Sequence, residues 1–218
     1  MSAPRQAVVD AARRLVALGL AHGTSGNVSL RDGDGFVITP SAVGYDVMEP
    51  EDVVGLELDG TIRGGAPGRI PSSEWRLHAG ILATRPEFDC VVHAHSPWAT
   101  ALSCLRREIP PFHYMVAAAG GADIRCAAYA TFGTAELAAA AREALRDRRA
   151  CLLANHGLVA CGPSAAAALG LAVEVEALAG QYMRALSVGR PALLSDEEMG
   201  TVLRRFGTYS RGEPLPDD

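Results

Sequence analysis

The stretch DCVVHAHSP, residues 89–97, constrains the fold more than any other part of the chain. Its apolar run reads as a strand. The Ser96-Pro97 pair that ends it can cap and start a helix, because proline is tolerated at a first helical position, where its missing N–H is not needed. Side chains two apart in a strand share a face. His93 and His95 therefore project together, with Val91 continuing their face into the core and Ala94 turned away. Neutral imidazole is the commonest protein metal ligand, but two histidines at a strand end can equally be a hydrogen-bonded pair.

The pattern around this strand alternates between short strands and helices. Residues 4–20 carry Val8, Ala11, Ala12, Leu15 and Leu18 at helical spacing. GNVSLRDGDGFVITP reads as a hairpin turning at Asp32-Gly33-Asp34-Gly35. EDVVGLELDGTIRGG gives a further strand and turn. PSSEWRLHAGILATRP is a helix opened by Pro71 and two serines and closed before Pro86. Helices are also predicted at 134–148, 165–188 and 195–206, the last with Ser195 and Glu198 at capping-box spacing. ACLLANHGLVAC reads as two short strands joined by a tight turn. With no long linker or repeat, the pattern fits one α/β domain whose sheet is partly antiparallel, with helices on its faces.

Two further segments bear on chemistry. His156 sits in ANHGL, where an apolar strand ends and Gly157 can take a positive φ. It is a third ligand candidate or a turn histidine facing water. In PSSEW, Ser72 and Ser73 stand at a helix start, where free N–H groups and the positive dipole end suit a phosphate. Glu74 follows in the first turn, as a ligand candidate or a dipole-stabilised surface carboxylate. GTSGN offers Gly26 and Asn27, and ITPSA offers Ser41, as close-approach donors.

Composition narrows the options. The net charge is −5, with no block of like charges, so neither a nucleic-acid groove nor an anionic membrane surface is indicated. Arg13 and Arg14 interrupt the apolar N-terminal residues, which excludes a signal peptide or a membrane span there. The five cysteines include no C-x-x-C pair and read as buried free thiols in a reducing cytoplasm. All 20 basic residues are arginine, so no Schiff-base lysine exists.

The segments GNVS, ITPS, PSSEWR, VVHAH, HYMVAAAGG, YATFGT, NHGL, SDEEM and TYS occur in this order along nearly the whole chain. Together they resemble the zinc-dependent class II sugar-phosphate aldolases of the aldolase/adducin superfamily. The resemblance implies a single domain over residues 1–218. Its fold would be a three-layer α/β/α sandwich with a mixed, largely antiparallel central sheet. It implies one zinc ion per subunit on His93, His95 and His156, with Glu74 as a fourth ligand and as the group that moves a proton. The phosphate pocket would use Gly26, Asn27, Ser41, Ala42, Ser72 and Ser73. Tyr114 would reach the site across a subunit contact, Tyr209 would close over the aldehyde end, and Phe132 would lie near that end. The implied reaction is reversible cleavage of a ketose 1-phosphate, L-fuculose 1-phosphate or a related deoxy sugar, to dihydroxyacetone phosphate and a small aldehyde. A cytoplasmic homotetramer with sites at subunit contacts is the implied assembly. Pentulose-phosphate 4-epimerisation, methylthioribulose-1-phosphate dehydration and a non-catalytic adducin-like module are the alternatives on this scaffold. Epimerases of the superfamily typically carry aspartate where Glu74 stands. Members often have glycine at the position of Ala42 and a Gln-His pair where Ala154-Asn155 precedes His156. The tail SRGEPLPDD also differs from theirs.

Overall fold

The computed structural model describes residues 3–210, and the side chains of residues 3–208. Eight strands form one sheet: β1 (Asn27–Asp32), β2 (Gly35–Ile38), β3 (Val54–Leu56), β4 (Ile62–Gly64), β5 (Cys90–Ala94), β6 (Cys126–Ala127), β7 (Ala150–Leu153) and β8 (Gly157–Gly162). Their spatial order is β4-β3-β2-β1-β5-β8-β7-β6. Only the β6–β7 pair is parallel. Six α-helices flank the sheet: α1 (Ala3–Ala17), α2 (Trp75–Thr84), α3 (Pro97–Cys104), α4 (Ala135–Ala144), α5 (Ala165–Val188) and α6 (Asp196–Ser210).

Strand β5 lies at the centre, paired antiparallel with β1 on one side and β8 on the other. All five of its residues are fully buried. Alternate side chains feed two separate cores. Cys90, Val92 and Ala94 pack with buried residues of α1, α3 and α5. Val91 packs on the other face with Leu77 and Ile81 of α2 and Leu137 and Ala141 of α4. The result is the expected three-layer sandwich, with each fully buried valine contributing about 1.5–3 kcal/mol. His93 shares the face of Val91, as the strand period requires.

Most boundaries follow local chemistry. Helix α1 stops three residues before the predicted end. Gly19 adopts φ 70°, and Leu20 N–H returns to the Leu15 carbonyl at 3.0 Å, a left-handed helix stop. Helix α2 begins at Trp75 rather than at the serines, with Glu74 at its cap position. At α6, Ser195 N–H donates to Glu198 Oε2 at 2.7 Å and Glu198 N–H to Ser195 Oγ at 3.2 Å, the reciprocal pair the spacing predicted. Strand β6 and the 3₁₀ turn at Tyr114–Ala119 were not predicted. A two-residue strand is too short to show a period. The cysteines are all free, but only Cys90, Cys151 and Cys161 are buried; Cys104 is exposed, in the last turn of α3.

One correction and one strained residue concern the turns around the sheet. Gly157 does not take the positive φ of the β7–β8 turn; Asn155 does, at 56°. Gly157 is instead required by proximity, since a Cβ there would lie 2.3 Å from the Ala94 carbonyl oxygen of β5. After β2, Ala42 is also left-handed, at φ 59°. An L-residue with a Cβ costs roughly 1–2 kcal/mol in that region and glycine does not. Ala42→Gly is therefore expected to stabilise the fold by about 1 kcal/mol. For a chain of this size that raises the melting temperature by about 2–4 °C. Differential scanning calorimetry checks the shift, and an unchanged or lower melting temperature would show that Ala42 is unstrained.

Candidate active site

Strand β5, the β7–β8 turn and the start of α2 bring Glu74, His93, His95 and His156 together. Their candidate ligand atoms all lie within 4.8 Å of one another. His93 is fully buried, and its Nδ1–H donates to the Leu158 carbonyl of β8 at 2.8 Å. A neutral imidazole protonated there carries its lone pair on Nε2. That lone pair faces Glu74 Oε2 at 3.1 Å and His95 Nε2 at 2.9 Å. His156 Nε2 completes the group, 3.5 Å from Glu74 Oε1. Oε1 is buried and makes no hydrogen bond among the described residues.

With His93 protonated on Nδ1, its Nε2 faces the carboxylate acceptor to acceptor, a contact that a proton or a cation between them stabilises. The titration behaviour reflects the same contact. Burial by itself would raise the Glu74 pKa, yet the neighbouring His93 and His156 and the Asn27 hydrogen bond hold it well below the usual carboxylate range. Burial opposes protonation of His93, but Glu74 outweighs it and raises the pKa. Burial and the nearby His93 push His95 and His156 down to about 4. Both are therefore neutral, and able to act as ligands, across the physiological range. Nitrogen and oxygen ligands about 2.0–2.2 Å from a tetrahedral zinc ion lie roughly 3.3 Å apart. The separations of 2.9, 3.1 and 3.5 Å match such a site. The backbone carbonyl behind His93 supplies the outer hydrogen bond that fixes a ligating histidine's tautomer.

Three of the four, Glu74, His95 and His156, line a cleft of about 460 Å³, with His93 buried behind them. Gly26, Asn27, Ser41, Ala42, Ser72 and Ser73 line one part of it, and Phe132 another. Not every expected phosphate donor is free. Ser41 N–H donates to the Ile70 carbonyl at 3.0 Å and its hydroxyl to the Pro71 carbonyl at 2.8 Å. Ser72 N–H donates to Thr39 O at 3.0 Å, while its Oγ accepts from Glu74 N–H at 3.3 Å, so the Ser72 hydroxyl proton remains available. The Asn27 amide donates to Glu74 Oε2 at 3.0 Å. Gly26 is left-handed at φ 74°, and a Cβ there would meet the His93 carbonyl oxygen at 2.7 Å.

Tyr114 is 52% exposed and is not among the residues lining this cleft. The side chain of Tyr209 lies outside those described, although its backbone belongs to α6. Tyr129 was missed in the sequence. It lines the cleft three residues before Phe132, in the same YATFGT segment. Asn155 lines the cleft as well, its Oδ1 accepting from Arg106 Nε at 2.9 Å. That bond gives the residue before His156 a place at the rim.

The sequence of residues 6–183 matches the class II aldolase and adducin N-terminal domain. The chain belongs to that family. A Rhodospirillum rubrum protein named 5-methylthioribulose-1-phosphate/5-deoxyribulose-1-phosphate aldolase is 52% identical over 212 residues, 97% of this chain and 95% of that one. The L-fuculose phosphate aldolase of Escherichia coli K12 is 45% identical over 203 residues, 93% of each chain. A solved L-fuculose 1-phosphate aldolase superposes with a TM-score of 0.91 at 40% identity, covering 95% of this chain and 97% of that one. This family member is an aldolase. No helix among its described residues is long and apolar enough to cross a membrane.

Loss of even an outer-shell partner weakens metal binding about 10–100-fold. His95→Ala removes one corner of the cluster from a partly exposed position and is expected to weaken divalent-ion binding at least about 100-fold. The fold should survive. Metal titration and circular dichroism check both, and full affinity would remove His95 from the site.

Proposed function

We propose that this aldolase reversibly cleaves a terminally deoxygenated ketose 1-phosphate to dihydroxyacetone phosphate and a small aldehyde, using one divalent zinc ion per subunit. The observation that carries the reading is the Glu74, His93, His95 and His156 cluster, three of whose members line a cleft, in a chain that has no lysine. A Schiff-base route needs a lysine amine, so charge must be stabilised another way. A divalent cation on the three imidazoles supplies the positive charge against which negative charge develops as the carbon–carbon bond breaks.

The chain's own groups then divide the work. The C3–C4 bond breaks with its electron pair left on C3. The C4 hydroxyl gives its proton to solvent and becomes the aldehyde, and C3 gains one. Glu74 carries the proton at C3 through Oε1, the buried oxygen with no hydrogen-bond partner. Ser72, Ser73, Gly26 and Ala42 border the phosphate end, and positioning of this kind is worth several kcal/mol of barrier. Tyr114 hydrogen-bonds the oxygen that becomes the aldehyde. Its exposure and its place outside its own cleft support its acting from a second copy of the chain, in a homotetramer. Phe132, with Tyr129 beside it, gives the aldehyde end an aromatic wall suited to an apolar terminal carbon. The relatives named for 5-deoxyribulose and 5-methylthioribulose phosphates support a five-carbon substrate of this kind, with L-fuculose 1-phosphate as a six-carbon one. They join the methylthio sugar of one sequence alternative to aldol cleavage rather than dehydration.

Aldehyde release from 5-deoxyribulose 1-phosphate, followed with and without a chelator, tests the reading; activity indifferent to the chelator would overturn it. Glu74→Gln is expected to lower kcat at least about 10²-fold, the size of a general acid–base contribution. The ratio of kcat/KM between the deoxy sugar and its hydroxylated counterpart should favour the deoxy sugar by up to about 10²-fold, the most an apolar pocket achieves against an added hydroxyl. Equal values would remove the aromatic wall from substrate selection while leaving the Glu74 assignment intact.

A further inference from the structure

Behind Glu74 lies a buried polar chain that metal binding and phosphate binding do not explain. Asn27 and Ser29 are two apart on β1 and share a face; Glu74 and His78 are four apart at the start of α2 and lie one above the other. Ser29 and His78 are fully buried, and Asn27 and Glu74 nearly so. Ser29 Oγ lies 2.7 Å from His78 Nδ1. His78 Nε2 hydrogen-bonds Asn27 Oδ1, and Asn27 Nδ2 donates to Glu74 Oε2 at 3.0 Å.

The direction of every bond follows from the last one. The carboxylate only accepts, so Asn27 must present its NH₂ group to Glu74. Its carbonyl oxygen then faces His78, which must donate from Nε2. A neutral imidazole with its proton on Nε2 accepts at Nδ1, and the Ser29 hydroxyl donates there. Burial, reinforced by the nearby His93, pushes the His78 pKa down to about 3, so the ring stays neutral at working pH.

We propose that His78 is a positioning residue for the aldolase reaction: it fixes the Asn27 amide, and through it holds Glu74 by Oε2, so that Oε1 stays directed at the reacting carbon. Asn27 then serves the carboxylate with its side chain rather than a phosphate. A flipped amide would set its carbonyl oxygen against a carboxylate oxygen, and His78 prevents this. The chain is polarised throughout toward Glu74. Packing alone would be met by apolar residues at positions 29 and 78, without the cost of burying polar groups.

The proposal rests on Glu74 as the proton carrier in the reading above. Three measurements test it, on wild type, His78→Leu and His78→Gln. Leucine fills the space with no donor, whereas the glutamine amide reaches the position of Nε2 and can donate to Asn27. His78→Leu is expected to lower kcat about 10- to 100-fold, per bound metal and well below its melting temperature, the size of effect a misplaced reacting group produces. KM for the ketose phosphate should stay within about 2-fold, because the phosphate end is untouched. His78→Gln should recover most of kcat even if both variants lose the same stability. Imidazole ¹⁵N shifts of the wild-type protein, with and without zinc, should show His78 protonated on Nε2. A proton on Nδ1, equal slowing in both variants, or a raised KM with unchanged kcat would each overturn the proposal. If His78→Leu does not fold, the tautomer and the glutamine variant still decide. Wild-type protein inert toward every ketose 1-phosphate would instead overturn the reading of function, an outcome the tautomer measurement does not depend on.

Discussion

Three imidazoles and a carboxylate whose candidate ligand atoms lie within 4.8 Å of one another form a demanding arrangement, and the fold enforces it. His93 cannot turn away, because its Nδ1–H is engaged by the Leu158 carbonyl in the middle of the sheet. Glu74 cannot swing into solvent, because Asn27 holds one oxygen and the start of α2 fixes its backbone. The contact between His93 Nε2 and the carboxylate is favourable once a proton or a cation lies between them. Sheet packing supplies the rigidity: β5 is buried on both faces and hydrogen-bonded along both edges. A cluster on mobile loops would relax outward instead of holding a cation.

The same logic explains the backbone details near the cluster. Gly26 and Gly157 each bring their strand ends against β5, with no room for a Cβ beside the carbonyls of His93 and Ala94. Those close approaches let residues from three separate segments meet at one point. The positive φ that the turn after β7 needs falls on Asn155, a residue type that tolerates it. Asn155 then reaches Arg106 at the cleft rim.

How much of this was legible in the sequence depends on how local each determinant is. Strand β5, the helix start at Ser195 and the hairpin at residues 32–35 were readable because a few adjacent residues set them. Helix α3 does start at Pro97, but Ser96 makes no capping hydrogen bond; Trp98 and Ala99 N–H donate instead to Glu176 of α5, at 2.9 Å each. The convergence of His93 with His156 was not readable from spacing: it depends on β5 pairing with β8, and only the family resemblance supplied it in advance. His78 was invisible for a related reason. In sequence it is one polar residue within an apolar helix face, and its meaning comes from Asn27 and Ser29, about fifty positions away. The Asn27 side-chain bond to Glu74 was equally invisible, since a GN pair in a loop looks like an anion cradle until its partners are seen.

The two ends of the cleft obey different physics. At the reaction end the groups are buried, hydrogen-bonded to one another and fixed by the sheet, so an altered residue leaves a neighbour unsatisfied at a cost of about 1–3 kcal/mol. In the proposed reading the aldehyde end is walled by Tyr129 and Phe132, both well exposed on a connecting segment, with Tyr114, exposed on a 3₁₀ turn, supplied by a second copy of the chain. Changing one of these strands no buried partner, and apolar contact with one methyl group is worth only about 1–3 kcal/mol. A scaffold built this way can exchange its sugar without disturbing its bond-breaking chemistry. That division accounts for relatives of similar identity being named for fuculose, deoxyribulose and methylthioribulose phosphates while all are named aldolases. The proposed reading accordingly assigns sugar choice to the exposed aromatic segments rather than to the four-residue cluster.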